Sequence, residues 1–227
     1  MNSKKKNIEA QIVEDFEKIR PAITRLLQTQ MKNDDLSLRY GRSKSNSKND
    51  IVINPSILVN TISKTNLDRD EVMIGTVVHE AIHATNNYSL DSESLNKLFP
   101  DELDDVEDID DVLEILTGPF GKYVFDILIH SIEEKIFVKQ YEGLNSILED
   151  IYTESFSEIK KLGNFSQYLS LLFHSITSYI DPEFENYKKP VVSSLNESLH
   201  ILKTLNYENV NVSELIEATV QMVDICR

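Results

Sequence analysis

Residues 69–86 read Arg69-Asp70-Glu71-Val72-Met73-Ile74-Gly75-Thr76-Val77-Val78-His79-Glu80-Ala81-Ile82-His83-Ala84-Thr85-Asn86. The stretch is apolar on most sides, through Val72, Met73, Ile74, Val77, Val78, Ala81 and Ile82. A helix apolar all round belongs at the centre of a fold. Asp68, followed three residues later by Glu71, predicts the start of that helix, with Asp68 accepting from first-turn amides. His79 and His83 are one turn apart, so both rings leave the same face. Two imidazoles at that spacing suit neighbouring positions on a tetrahedral Zn²⁺, and Glu80 stands beside them without being a ligand. Zinc brings the pKa of a bound water to about 7, and Glu80 would take its proton and hand it to a leaving amine.

A catalytic zinc needs a third protein ligand and one open position. Glycine and histidine three and six residues beyond His83 would make a metzincin, but Asn86 and Ser89 stand there. The better source is His130-Ser131-Ile132-Glu133-Glu134-Lys135-Ile136-Phe137, read as part of a second helix. Glu133 and Glu134 point about 100° apart on a helix, so only one faces a given metal. His130 is a third possibility, as ligand or as an outer-shell group. For polarising a scissile carbonyl, His130, Tyr88 and Tyr123 are the candidates. His174 and His200 have no ligand-spaced company and read as structural.

Ile53-Asn54-Pro55 followed by Val77-Val78-His79-Glu80-Ala81-Ile82-His83-Ala84 resembles the strand and active-site helix of gluzincin-type HExxH metallopeptidases. It is similar in particular to bacterial and phage metallopeptidase domains associated with von Willebrand A-like and cobalt-chelatase-like proteins. Their downstream helix carries Asn-x-x-Glu-Asp, to which His130-Ser131-Ile132-Glu133-Glu134 is similar in spacing, with His for Asn and Glu for Asp. The Glu-x-x-x-Phe element of metallopeptidases that cleave phage repressors is matched by Glu133 and Phe137. The resemblance runs from about Ile51 to Tyr141. It implies a zincin-like core, peptide-bond hydrolysis, and a Zn²⁺ held by His79, His83 and Glu133. It also implies that Ile51-Val52-Ile53 lies along an extended substrate as an edge strand.

Around this centre the chain of 227 residues reads as α+β, mainly α. A helix with Pro21 as a kink or restart is expected from Ile8 to Met31. Leu36 to Tyr40 and Ile51 to Ile53 predict a β-hairpin closed by the polar Gly41–Asp50 segment. Pro55–Ser63 reads as a short helix. Leu90–Gly118 reads as an acidic loop, its Asp101–Glu114 portion solvated, selective for basic substrates, or a seat for Ca²⁺. Helices follow near Lys122–Gln140, Leu144–Lys161, Ser166–Ile180, Val191–Leu205 and Val212–Ile225. Residues 1–142 are the expected zincin-like core and 143–227 a helical C-terminal extension packed on it.

A formal charge of −15 repels nucleic acid and anionic lipid, and either attracts basic partners or simply keeps a soluble protein apart from others. The peptide or protein substrate is what the metallopeptidase resemblance implies. Cys226 is the single cysteine, so no internal disulfide forms. Lys4-Lys5-Lys6 leads into an acidic helical segment rather than the apolar run of a signal peptide, and no stretch is long and apolar enough to span a bilayer. The expected location is cytoplasmic. Two rivals share these features: a non-catalytic interaction or assembly protein on a zincin scaffold, and a metal-dependent hydrolase of a non-peptide substrate. Glu80 counts against the first, since metal binding alone has no use for a base.

Overall fold

Apolar residues recurring at helical spacing bury one side of each helix in a computed structural model that describes residues 3–41, 49–54, 56, 58, 59, 62, 67–85, 97–99, 108–140, 142–156, 158–179, 183–207 and 209–227. Among the described residues the architecture is mainly helical with one small two-stranded sheet, the expected α+β class. The contacts gather into two units. One joins Met1–Asn86 to Tyr141–Phe156, and the other joins Asn87–Gln140 to Ser157–Arg227. The helix at 142–156 therefore groups with the first unit, across the boundary drawn between 142 and 143 from the sequence.

The first unit holds α1 (Ser3–Gln30), β1 (Ser37–Tyr40), β2 (Asp50–Ile53), α2 (Arg69–Thr85) and α5 (Glu142–Phe156). Helix α2 is its centre and packs against α1, β2 and α5. Val72, Met73, Val77, Val78, Ala81 and Ile82 are all buried, as a helix apolar all round requires. Asp68 caps it, its Oδ1 accepting from the Asp70 amide at 2.8 Å. Ile12, Phe16, Ile23 and Leu27 form the buried face of α1, and an Arg69–Asp15 ion pair at 2.8 Å ties α2 to it. The Arg69 bond is the foremost cause, with Lys18 and Gln11 adding, of an Asp15 carboxyl held below its ordinary range.

Two expectations change here. Helix α1 runs through Pro21 as one helix, so no second helix starts there. Proline in a helix interior costs about 3 kcal/mol, but Ile12 and Phe16 on one side of Pro21 and Ile23 and Leu27 on the other share one buried face. That burial outweighs the lost backbone bond. The strands are parallel rather than a hairpin, with Ser37 opposite Asp50 and Tyr40 opposite Ile53. Ile51, Val52 and Ile53 are buried in succession, on both faces of the sheet, as parallel strands are. Arg39 clasps Asp50 across the register at 2.8 and 3.0 Å, which lowers the carboxyl's pKa and raises the guanidinium's.

The second unit holds α3 (Ile109–Thr117), α4 (Gly121–Gln140), α6 (Asn164–Thr177), α7 (Lys189–Leu202) and α8 (Val212–Cys226). Helix α4 packs on α3, α6 and α8, and α7 packs on α6 and α8. Val124, Leu128, Ile132, Leu171, Leu172, Leu195, Leu215 and Met222 fill the interior. An Asn211–Glu214 capping box opens α8, and Lys189–Pro190 marks the start of α7. Helix α3 replaces the end of the expected acidic loop. Asp108 accepts from the Asp110 amide at 2.7 Å, Asp110 and Asp111 sit in the first turn, and Val112 and Leu113 are buried. Carboxylates at a helix N-terminus favour the helix instead of opposing it. Residues 100–107, and most of the helix expected at Pro55–Ser63, lie outside the described residues.

Candidate metal centre

Helix α2 presents the His-Glu-x-x-His segment without interruption, so the one-turn spacing of positions 79 and 83 is realised in the backbone. His79 and Glu80 are half-buried, while the side chain of His83 is outside those described. Gly75, one turn before His79, is buried and faces α5. A Cβ built on it would lie 2.5 Å from Ile151 Cδ1 and 3.1 Å from Ile147 Cγ2. Glycine at this position therefore lets α5 approach the backbone of α2.

One turn further along that approach, the Tyr152 hydroxyl lies 3.1 Å from His79 Nδ1, the rings meeting edge to face with centroids 6.4 Å apart. The two nitrogens of an imidazole point to opposite sides of the ring. With Nδ1 turned to Tyr152, Nε2 is the nitrogen turned away from it. A hydrogen bond at one ring nitrogen with the other directed to metal is the usual condition of a ligating histidine. With its hydrogen on Nδ1, His79 would offer the Nε2 lone pair to a metal such as zinc.

The other sequence-derived candidates belong to the second unit. His130, Glu133 and Glu134 all lie on α4, with His130 half-buried. Glu133 is 6% exposed and Glu134 is 0% exposed, so neither is the solvated surface charge usual for glutamate. Glu134 lies near enough to His174 of α6 for its charge to act on that imidazole. His174 is buried, and loss of hydration pushes it down to about 4 against the pull of Glu134. It is neutral at physiological pH, in keeping with the structural reading, and His200 is exposed. Tyr123 is exposed and packs edge-on to Phe165 at 6.5 Å, while Tyr88 is outside the described residues. Among the described residues no three His, Cys, Asp or Glu side chains gather as a metal site; His83 is not in that set.

Tyr152 was not foreseen from the sequence. It is 73 residues from His79, in a helix whose pattern marks no polar position for special attention. Gly75 did carry a signal, because an isolated glycine inside an apolar helix usually has a packing reason. No helix among the described residues is long and apolar enough to cross a membrane. Comparison with protein families, with curated proteins and with solved structures finds no match to this chain.

Proposed function

We propose that the chain is a zinc-dependent peptidase in which His79, His83 and Glu133 hold the metal and Glu80 is general base and acid. The observation that carries this reading is the Tyr152–His79 hydrogen bond on a central helix with the HExxH pattern. Zinc, when bound, supplies a Lewis acid that polarises a carbonyl and acidifies a water. The residues of the chain do the rest. Glu80 follows His79 on α2 and is half-buried, which suits a carboxylate that takes up a proton and returns it to a departing amine nitrogen. The resemblance puts Glu133 at the ligand position, with Glu134 and His130 as the alternatives.

Strand β2 packs on α2 and would align an extended peptide beside the helix through its backbone. A net charge of −15 favours basic segments as substrates, and a lone cysteine suits a reducing, cytoplasmic compartment.

Elemental analysis of purified protein tests the proposal. About one zinc per wild-type chain, reduced in His79→Ala and in Glu133→Ala, is the expected result. No zinc after incubation with the metal at neutral pH would leave the zincin-scaffold interaction protein as the better reading. Zinc lost in His79→Ala but kept in Glu133→Ala would move the third ligand to Glu134 or His130.

A further inference from the structure

We propose that Tyr152 is the positioning residue of His79, accepting the Nδ1 hydrogen so that the lone pair on Nε2 is held ready for a metal. The inference rests on the zinc reading of α2, but its first half concerns the protein alone.

Three features place the hydroxyl deliberately. Gly75 and His79 stand one turn apart on the face of α2 that meets α5. On α5, Leu148, Ile151 and Tyr152 share one helical face at i, i+3 and i+4. Leu148 is buried, and Ile147, Leu148 and Ile151 crowd the space where a Gly75 side chain would be. The apolar part of the helix pair thus fixes the distance between the two backbones, and the half-buried Tyr152 ring sits at the edge of that packing. Its hydroxyl meets the near nitrogen of His79 at 3.1 Å.

A phenol both donates and accepts, so the distance alone admits two arrangements. With Tyr152 as donor, the hydrogen of a neutral His79 would sit on Nε2 and block ligation. With Tyr152 as acceptor, it sits on Nδ1 and Nε2 keeps its lone pair. Only the second is compatible with a metal at His79, and it is the tautomer that a free histidine in water disfavours. A partner at Nδ1 would therefore contribute to metal affinity without touching the metal.

The test begins with metal-free, ¹⁵N-labelled protein at neutral pH, using long-range ¹H–¹⁵N correlations of the His79 ring. His79→Gln assigns the signals by removing them. The expected wild-type pattern is a protonated Nδ1 and an unprotonated Nε2, reverting towards the Nε2–H form in Tyr152→Phe. Zinc affinity is then measured by competition with a chromophoric chelator. Tyr152→Phe removes only a hydroxyl, and a weakening of about 10- to 100-fold is expected, in line with other outer-shell partners of ligating histidines. Far-UV circular dichroism and the thermal midpoint of the same sample exclude misfolding as the cause.

A wild-type ring protonated on Nε2, or the same tautomer in both proteins, would overturn the proposal. So would equal zinc affinities. A Tyr152-dependent Nδ1–H in a wild type that binds no zinc would sink the peptidase reading and the metal role of Tyr152 with it. The hydrogen bond would survive that result, which separates the two failures.

Discussion

The Cδ1 atom of Ile151 occupies the place where a side chain on Gly75 would begin, 2.5 Å from an ideal Cβ. Two opposing effects follow from putting a side chain there. Alanine is favoured over glycine in a helix by about 1 kcal/mol, and the Ile151 terminal methyl can swing aside. Ile147 Cγ2, at 3.1 Å, is closer to its own backbone and yields less. Gly75→Ala is therefore expected to lie within about 1 kcal/mol of wild type. Gly75→Val adds branches that Ile147 and Ile151 cannot both avoid, and should cost about 1–3 kcal/mol as overpacking. Urea unfolding of the two variants checks this; equal stabilities would show that α5 is not held close by Gly75.

His174 makes stability depend on pH in a definite direction. Burial holds its folded-state pKa down to about 4, below an ordinary value of 6.5. Above pH 6.5 both the folded and unfolded chains carry it neutral, and it imposes no penalty. As the pH falls from 6.5 to about 4, the unfolded chain takes up a proton that the folded one refuses, and stability drops by about 3 kcal/mol over that window. His174→Gln removes this dependence. Wild type is therefore expected to lose ground to the variant as urea unfolding is repeated at pH 7, 5.5 and 4.5. A constant difference across that range would contradict the assignment.

The ease of reading α2 and the difficulty of reading α3 and Tyr152 have one physical origin. In α2 burial is the only requirement, and Val72, Met73, Val77, Val78, Ala81 and Ile82 announce it by residue type. In α3 the helical spacing of Ile109, Val112, Leu113 and Leu116 was present, but Asp108, Asp110 and Asp111 made the segment look like a solvated loop. Those same carboxylates belong to the cap and first turn. The polar residues between β1 and β2 suit a turn and so point to an antiparallel pair, whereas the strands pair in parallel. The uninterrupted burial of Ile51–Ile53 was the better guide. Glu134 and His174 are 40 residues apart, and Tyr152 and His79 are 73 apart. Contacts at such separations are made by packing helices on one another, and no local spacing encodes them.

Lys135 ends one helix from another. Its Nζ donates to the Ile176 carbonyl at 2.7 Å, in the last turn of α6, and lies 5.4 Å from the centre of the Tyr207 ring. A cation at the C-terminal end of a helix answers both the orphaned carbonyl and the negative end of the dipole. Burial lowers the Lys135 pKa, so part of that gain is offset by lost hydration. Lys135→Met keeps the aliphatic stem and removes the donor, and should cost about 1–3 kcal/mol. Lys135→Gln, retaining a donor without the charge, should fall between the two. Unfolding free energies ranked wild type, Gln, Met would agree; Met equal to wild type would not.

Glu80 separates holding a metal from using it. It adjoins His79 on α2, and in the proposed mechanism it carries a proton and makes no bond to zinc. Glu80→Gln preserves size and most hydrogen-bonding capacity while removing the basic oxygen. Zinc content should stay at the wild-type level, whereas hydrolysis of a mixed peptide library, followed by mass spectrometry, should fall about 10²- to 10⁴-fold. His79→Ala should lose both. The pair of outcomes discriminates between the readings of this chain. Loss of hydrolysis with zinc retained assigns Glu80 the proton. Loss of zinc in Glu80→Gln makes the glutamate a ligand or a structural support. A wild type that holds zinc, cleaves nothing in the library and is unchanged by Glu80→Gln favours a metal-binding scaffold that engages partners without cleaving them.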